Sequence, residues 1–210
     1  GKDGAPMALV PAGEFLYGED KRRVTLNAFY MDKYEVTTSR YAKFLQDTGT
    51  EAPRAWEQAT PVSFGDRPVV SVQWADASTY CKWAGKRLPT EQEWEKAARG
   101  TDGRTYPWGE DAPTRLHANF EKREWKGYAT LVQVGKLEEG KSPYGIYDMA
   151  GNVWEWTSSD YDRRGAKVLR GGSWNSSPFN LRSTNRTMAD PPLIFNDLGS
   201  LGFRCAQDAR

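Results

Sequence analysis

Few residues in this 210-residue chain have side chains suited to catalysis. There is one histidine, His117, and there are two cysteines, Cys81 and Cys205. Iron, copper and zinc enzymes usually use several imidazoles, so the composition argues against a histidine-bound metal centre. A Ser/His/Asp triad would depend on His117, and no GxSxG motif accompanies it. The cysteine spacing is not that of a redox CxxC motif, so spacing alone leaves either a disulfide or two buried thiols.

The stretch RGGSWNSSPFNLRSTNR, residues 170–186, is dense in hydrogen-bonding side chains but has almost nothing that performs acid–base or nucleophilic chemistry. General acid–base catalysis near neutral pH mostly uses histidine, cysteine or strongly perturbed carboxylates. The stretch therefore favours a binding surface over an active site. The alternative is an enzyme site formed by Arg182, Asn185, Arg186 and Asp190. The candidate ligand-binding residues are Trp174, Asn175, Ser176, Phe179, Asn180, Arg182, Asn185 and Arg186.

A second candidate site lies in SPYGIYDMAGNVWEWTSSD, residues 142–160. Asp148 and Glu155 bracket a turn at 150–152 that can direct backbone carbonyls and both carboxylates to one point. Calcium takes about six to eight oxygen ligands of this mixed kind. The alternative is that Asp148 and Asn152 only bond turn amides, and spacing by itself favours that alternative.

The elements that must position these residues differ between the two halves of the chain. Residues 7–34 alternate apolar and polar side chains in short runs, which predicts strands. Helical spacing, caps and glycine stops predict helices at 37–49, 71–85 and 88–100, the last with a capping box from Thr90 to Glu93. Short apolar pieces among Gly, Pro, Asn and Asp predict a loop-rich half after Gly100. Five tryptophans are expected to anchor that half: Trp94, Trp108, Trp154, Trp156 and Trp174.

Composition excludes several classes of protein. The formal net charge is +1, and no basic run suggests a nucleic-acid or membrane surface. No apolar run approaches the length of a membrane span, and no signal peptide opens the chain, so any such peptide is expected to have been removed. One domain over 1–210 is predicted, with a flexible N-terminal segment at 1–6.

Several ordered motifs carry a resemblance to a known family. They are VPAGEFLYG, YEVTTSRYAKFL, RPVVSVQWADASTYCKWAGKRLPTEQEWEKAARG, YPWGE, GIYDMAGNVWEWTSS, VLRGGSW and LGFRCA. Together they resemble the formylglycine-generating enzyme, or sulfatase-modifying factor, superfamily over nearly the whole chain. The resemblance implies an α+β fold, a variant of the C-type lectin fold with low secondary-structure content and structural calcium.

The resemblance also implies particular ligands. Calcium in this family is bound by the side chains at Asp148 and Glu155 and the carbonyls at Gly151 and Val153, which makes calcium the preferred interpretation of this turn. A second family site uses the positions of Asn119 and Phe120 and an acidic residue whose match here is Lys126. An ammonium group there would replace part of the cation's role, so this second site is doubtful. Cys81 and Cys205 match positions that form a disulfide in some members, which would imply an oxidising compartment.

The catalytic residues of the family are missing. Formylglycine-generating enzymes bind copper through two cysteines, whose positions here are Ser176 and Leu181. A serine hydroxyl is a poor ligand for soft copper(I), and leucine cannot ligate it. Copper-dependent formylglycine formation is therefore not expected. A second branch, the iron-dependent sulfoxide synthases, needs histidines that this chain lacks. A third branch of tailoring enzymes, such as the one linked to pyoverdine maturation, remains open.

The sequence thus predicts a non-catalytic, calcium-stabilised binding or accessory module that uses the former active-site surface, within residues 170–201. The expected partner is a protein or a larger extracytoplasmic complex, or a small ligand or glycan, in the periplasm or outside the cell. No copper, haem, nucleotide or nucleic acid is expected. The alternatives are an oxidoreductase-like tailoring enzyme with an unidentified site, and a ligand-binding protein whose segment 175–202 is diversified by a retroelement. Met188 would be a fixed position in that last case.

Overall fold

The computed structural model describes residues 1–54, 56–58, 61–191 and 199–209. Its α-helices are α1 (Thr38–Thr48), α2 (Pro61–Phe64), α3 (Trp74–Trp83) and α4 (Glu91–Arg99). Its strands are β1 (Met7–Val10), β2 (Gly13–Tyr17), β3 (Arg22–Leu26), β4 (Phe29–Asp32), β5 (Trp154–Asp160), β6 (Lys167–Arg170), β7 (Arg186–Ala189), β8 (Leu201–Gly202) and β9 (Ala206–Asp208). Short 3-10 helices cover Trp56–Gln58, Glu138–Gly140 and Pro178–Leu181.

The three predicted helices correspond to α1, α3 and α4, and their ends follow the predicted signals. The Thr37 side chain accepts the Arg40 N–H at the start of α1, and Gly49 ends the helix with a φ of 68°. The capping box at the start of α4 is formed in both directions between Thr90 and Glu93. Local sequence is sufficient for these ends because each cap needs only side chains three or four residues away.

The described part of the chain forms three sheets, two of which join segments that are distant in the sequence. β2 and β3 form a hairpin, whereas β4 pairs with both β1 and β9, which brings the last strand onto the first part of the chain. The largest sheet has the order β7-β6-β5-β8, and β8 runs parallel to β5 while the other pairs are antiparallel. This sheet lies in the half predicted to be loop-rich. Between Gly100 and β5 the only named element in the described part of the chain is the 3-10 helix at Glu138–Gly140.

Tryptophans hold the loop-rich half, as predicted. Trp94, Trp156 and Trp174 are buried, and Trp154 and Trp108 are half-buried. The indole N–H of Trp156 donates to the Val72 carbonyl at 2.7 Å, and that of Trp174 donates to the Gly199 carbonyl at 3.1 Å. These rings therefore bury large apolar faces while their polar atoms remain satisfied.

The two cysteines form a disulfide. Cys81 in α3 is bonded to Cys205, between β8 and β9; the two are 124 positions apart in the sequence, and their Cα atoms are 5.7 Å apart. The spacing of the cysteines leaves two alternatives, a disulfide or two buried thiols. The family resemblance favours the disulfide, and the structure confirms it. It ties the first half of the chain to its last strand.

The N-terminal segment at 1–6, predicted to be flexible, is held in place by a buried ion pair. The carboxylate of Asp3 lies 2.9 Å from the Lys86 ammonium, which also lies 2.7 Å from Asp32. All three side chains are essentially fully buried. The sequence did not reveal this contact because Asp3 and Lys86 are 83 positions apart.

Within the described residues, no helix combines the length and the apolar character that crossing a membrane requires.

Candidate functional site

The turn at 148–155 contributes two carboxylates to a buried acidic cluster that also includes Glu35. Asp148 and Asn152 adopt left-handed backbone conformations, with φ of 56° and 61°, and so fold the chain tightly around this point. Glu155 follows this turn and is the second residue of β5. All three carboxylates of the cluster are buried.

Arg204 is the positive charge of this cluster. Its Nε donates to Glu155 Oε2 at 2.8 Å, and one terminal nitrogen donates to Glu155 Oε1 at 2.7 Å. The Trp94 indole adds a bond of 2.7 Å to Glu155 Oε2. Asp148 accepts the Gly135 N–H at 2.7 Å. Glu155 is thus the best neutralised carboxylate of the three.

The cluster carries excess negative charge. Glu35, Asp148 and Glu155 with Arg204 make three negative charges and one positive charge, a net of two negative charges when all are ionised. Burial raises the pKa of Asp148 to about 6, and the Glu155 charge adds to the effect. Burial also raises the pKa of Glu35 well above its ordinary value, with further contributions from Asp148 and Glu155. One oxygen of Glu35, Oε1, is buried without a hydrogen-bond partner.

These properties fit the calcium ion that the family resemblance implies here. A dication would neutralise the two excess charges, and the carboxylate, amide and carbonyl oxygens of the turn are the donors that calcium prefers. No group of three or more Asp, Glu, His or Cys side chains in the described part of the chain is placed to share one ion. Backbone carbonyls, such as those implied at Gly151 and Val153, would therefore have to complete the ligand set.

Asn152 joins this turn to the segment predicted to bind ligands. Its side-chain nitrogen donates to Glu35 at 2.8 Å, and its side-chain oxygen accepts from the Asn119 amide at 3.0 Å. Its carbonyl accepts the Trp174 N–H at 2.8 Å. This buried residue therefore holds the acidic cluster, the loop at Asn119 and the turn at Trp174 in one arrangement.

The position of Lys126 differs from the expectation. We expected its ammonium to replace part of a second calcium ion beside Asn119 and Phe120, but the Lys126 side chain is 73% exposed and faces Glu124 at 3.6 Å. The Asn119 amide nitrogen donates inside the loop, to the Thr130 carbonyl at 3.1 Å. Alignment by motif could not locate this lysine because the loop is short and its path depends on long-range contacts.

The positions that carry copper cysteines in the family have structural roles here. Leu181 is fully buried and packs with Ala118, Phe120 and Ala150. Ser176 is buried, and its hydroxyl accepts the Ser173 N–H at 2.9 Å. A side chain that forms part of the core and a hydroxyl engaged in a turn cannot form a copper-binding pair.

The predicted ligand-binding residues do not all share one surface. Trp174 and Ser176 are buried, whereas Asn175 and Phe179 are exposed, Phe179 at 63%. Phe179, Asn185 and Arg186 line a surface cavity of about 500 Å³. Asn180 and Arg182 do not line that cavity. The part of the predicted surface at 192–198 lies outside the described residues.

The floor and walls of this cavity are occupied by ion pairs. Arg170 is fully buried and donates to Glu95 at 2.7 Å. Arg186 makes two bonds to Glu91, at 2.9 and 3.0 Å. Arg170 and Arg186 therefore already have carboxylate partners. The exposed Phe179 ring adds an apolar edge to the cavity, whose lining also includes Asp20 and Arg22.

The residues of the alternative enzyme site are similarly engaged or separated. Arg182 lies 3.8 Å from Glu19, and the Asn185 amide donates to the Asn180 carbonyl at 3.3 Å. Asp190 is exposed, and it does not line the cavity that Asn185 and Arg186 share. Met188, the position that a retroelement could not have produced, is 52% exposed on β7.

Comparison with known proteins decides the family. A model of the sulfatase-modifying factor enzyme 1-like domain matches residues 2–209. The chain belongs to this family. The predicted fold is confirmed: it is the α+β, formylglycine-generating-enzyme-like variant of the C-type lectin fold.

The chain is similar both to proteins that are named as formylglycine-generating enzymes and to proteins that are named as inactive members of the family. The mouse (Mus musculus) protein named inactive C-alpha-formylglycine-generating enzyme 2 is 35% identical in an alignment that covers 97% of this chain and 86% of the mouse protein. The formylglycine-generating enzyme of Thermomonospora curvata is 33% identical in an alignment that covers 96% of this chain and 93% of that enzyme. The solved structure of PvdO from Pseudomonas aeruginosa has a TM-score of 0.78 at 24% identity, covers 100% of this chain and 96% of its own, and shows a shared fold.

Sequence reasoning missed three residues of this family site: Glu35, Asn152 as a connecting residue, and Arg204. Glu35 and Arg204 lie within the motifs YEVTTSRYAKFL and LGFRCA, whose residue types and spacing do not by themselves indicate a role for either. A buried arginine in a short motif indicates a buried carboxylate partner, because unpaired charges are rarely buried. That signal would have predicted an ion pair without naming Glu155.

Proposed function

We propose that this protein is a non-catalytic member of the formylglycine-generating enzyme family, a calcium-stabilised module that binds a partner through the surface around residues 175–186. The observation that carries the proposal is the structural use of Ser176 and Leu181. Copper chemistry needs two thiolates at these positions, and this chain has a hydrogen-bonded hydroxyl and a core leucine there.

Two features support the remaining parts of the proposal. The acidic cluster around Asp148 and Glu155 has the charge and donor chemistry for one calcium ion, whose role there would be structural. The exposed ring of Phe179 beside a polar cavity is suited to contact with a protein, a glycan or a small ligand. A periplasmic or extracellular location agrees with the disulfide, because such bonds persist in oxidising compartments.

Copper loading is the direct test of the non-catalytic assignment. After incubation with copper(I) and dialysis, the protein should retain no stoichiometric copper, and a cysteine-containing peptide incubated with it and oxygen should gain no aldehyde. Copper would be measured by elemental analysis and the aldehyde by mass spectrometry of the peptide. The Thermomonospora curvata enzyme, treated in parallel, serves as the positive control. Stoichiometric copper or aldehyde in this protein would contradict the proposal.

Calcium binding at the acidic cluster should depend on pH. The pKa of Asp148 is raised from about 3.8 to about 6, so between these values the folded, metal-free protein holds a proton that the unfolded chain has lost. This bound proton stabilises the folded, metal-free protein relative to the unfolded chain, and the stabilisation is lost as the pH rises from about 3.8 to about 6. Below about pH 6, calcium must displace the proton before it can bind the Asp148 carboxylate. At about pH 5 roughly one Asp148 in ten would be ionised, so calcium affinity should be about tenfold weaker than at about pH 7.5.

Calorimetric titration with calcium at the two pH values measures this difference. The matched variant is Asp148→Asn, which keeps an oxygen ligand but has no proton of its own to displace. Its weaker affinity should change less with pH than that of the unmodified protein, and the remaining change comes from Glu35, whose pKa is also raised. Equal calcium affinity of the unmodified protein at both pH values would show that Asp148 is not a ligand.

A further inference from the structure

Basic side chains converge on the carbonyls of the loop 119–131. An Arg115 terminal nitrogen donates to the Phe120 carbonyl, and the Lys122 ammonium donates to the Thr130 carbonyl. An Arg67 terminal nitrogen donates to the Leu131 carbonyl at 2.8 Å. Three positive groups from three positions in the chain thus each satisfy one backbone oxygen of the same loop. We call Arg67, Arg115 and Lys122 the basic cluster.

The basic cluster has little negative charge to balance it. Among the described residues, only Arg67 has a carboxylate within ion-pair distance, at 3.8 Å from Asp66. The Arg67 Nε is buried without a hydrogen-bond partner. Arg115 additionally lies over the Phe120 ring at 4.8 Å. A divalent cation beside these groups would meet three like charges, and the Phe120 oxygen it would need is already bonded to Arg115.

We infer that the basic cluster takes the place of the second calcium ion that the family resemblance implies for this loop, so that the loop is held by the chain's own cations and binds no calcium. The residues present do not fit that ion: Phe120 offers an oxygen that is already bonded, and Asn119 donates its amide nitrogen to Thr130. The inference is independent of calcium at Asp148 and of the partner proposal.

The basic cluster also supports the candidate binding surface. The backbone N–H of Lys122 donates to the Trp174 carbonyl at 2.8 Å, and the backbone N–H of Glu121 donates to the Ser176 carbonyl at 3.0 Å. The loop therefore runs directly against residues 174–176. Because its own cations hold it, this side of the surface should keep its shape when calcium is removed.

Two lysines in this loop provide a matched test. Lys122→Met removes an ammonium that bonds the Thr130 carbonyl, whereas Lys126→Met removes one that is 73% exposed and faces only Glu124 among the described residues. Lys122→Met should lower the melting temperature by about 4 °C or more, and Lys126→Met by less than about 1 °C. Adding millimolar calcium should not restore the Lys122→Met variant beyond the shift that it causes in the unmodified protein.

Calcium counting completes the test. Asp148→Asn weakens the other candidate site, so an ion bound there loses affinity in this variant, whereas an ion bound at the loop does not. Equilibrium dialysis of the unmodified protein should find no more than one calcium ion per chain, and the affinity for that ion should fall in Asp148→Asn. A second calcium ion per chain, a bound ion whose affinity is unchanged in Asp148→Asn, rescue of Lys122→Met by calcium, or equal melting temperatures for the two lysine variants would each overturn the inference.

Discussion

Replacement of Arg204 by methionine should lower the free energy of unfolding by about 3 to 5 kcal/mol, because removal of one partner leaves a buried charge without compensation. Arg204 is completely buried and makes two hydrogen bonds to Glu155, one to the Asp32 carbonyl at 3.2 Å and one to the Tyr147 carbonyl at 2.9 Å. The methionine side chain keeps much of the volume but none of these bonds. Chemical denaturation in chelator measures the loss without any contribution from calcium.

Arg87 provides the control for this experiment. Its guanidinium also pairs with two carboxylates, Glu93 and Asp208, but the side chain is 36% exposed. Arg87→Met should therefore cost about 1 kcal/mol or less, because exposed ion pairs are screened by water. The double variant Glu155→Gln with Arg204→Met should recover part of the loss, because it removes the orphaned charge. If Arg204→Met were no more damaging than Arg87→Met, the cluster would not be organised around Arg204.

Removal of the disulfide should have the second large effect. The bond closes a loop of 124 residues, for which the chain-entropy model gives about 5 kcal/mol, and measured losses for native disulfides run at about 2 to 5 kcal/mol. The variant Cys81→Ala with Cys205→Ala should unfold at correspondingly lower denaturant concentration. Both cysteines are completely buried, so the two alanines also leave small cavities in the core.

The contribution of the cross-link itself can be separated from that of the cavities. The unmodified protein can be unfolded and then refolded in the continued presence of reductant. It then lacks the bond but keeps both sulfur atoms as free thiols. Its stability should lie between those of the oxidised protein and the double alanine variant. If the free energy of unfolding fell by less than about 1 kcal/mol in both the reduced protein and the double alanine variant, the bond would constrain the unfolded chain far less than its loop length implies.

The helices were predictable because their signals are local. Thr37 and Gly49 at the ends of α1, and Thr90 with Glu93 at the start of α4, act over one turn of helix. The sheet β7-β6-β5-β8 was not predictable in the same way. Its parallel pair joins Trp154 to Leu201, and such a pairing depends on contacts that no local pattern encodes.

The features of the candidate site also divide into those that the sequence predicts and those that only the tertiary structure shows. The sequence by itself determined the family motifs, the missing copper cysteines and the two acidic residues of the turn, because these are matters of residue identity. Only the tertiary structure showed Glu35 and Arg204 beside that turn, Leu181 in the core, and Lys122 rather than Lys126 on the loop carbonyls. Charges act through space, and charged residues such as Glu35 and Arg204 are brought together by folding alone.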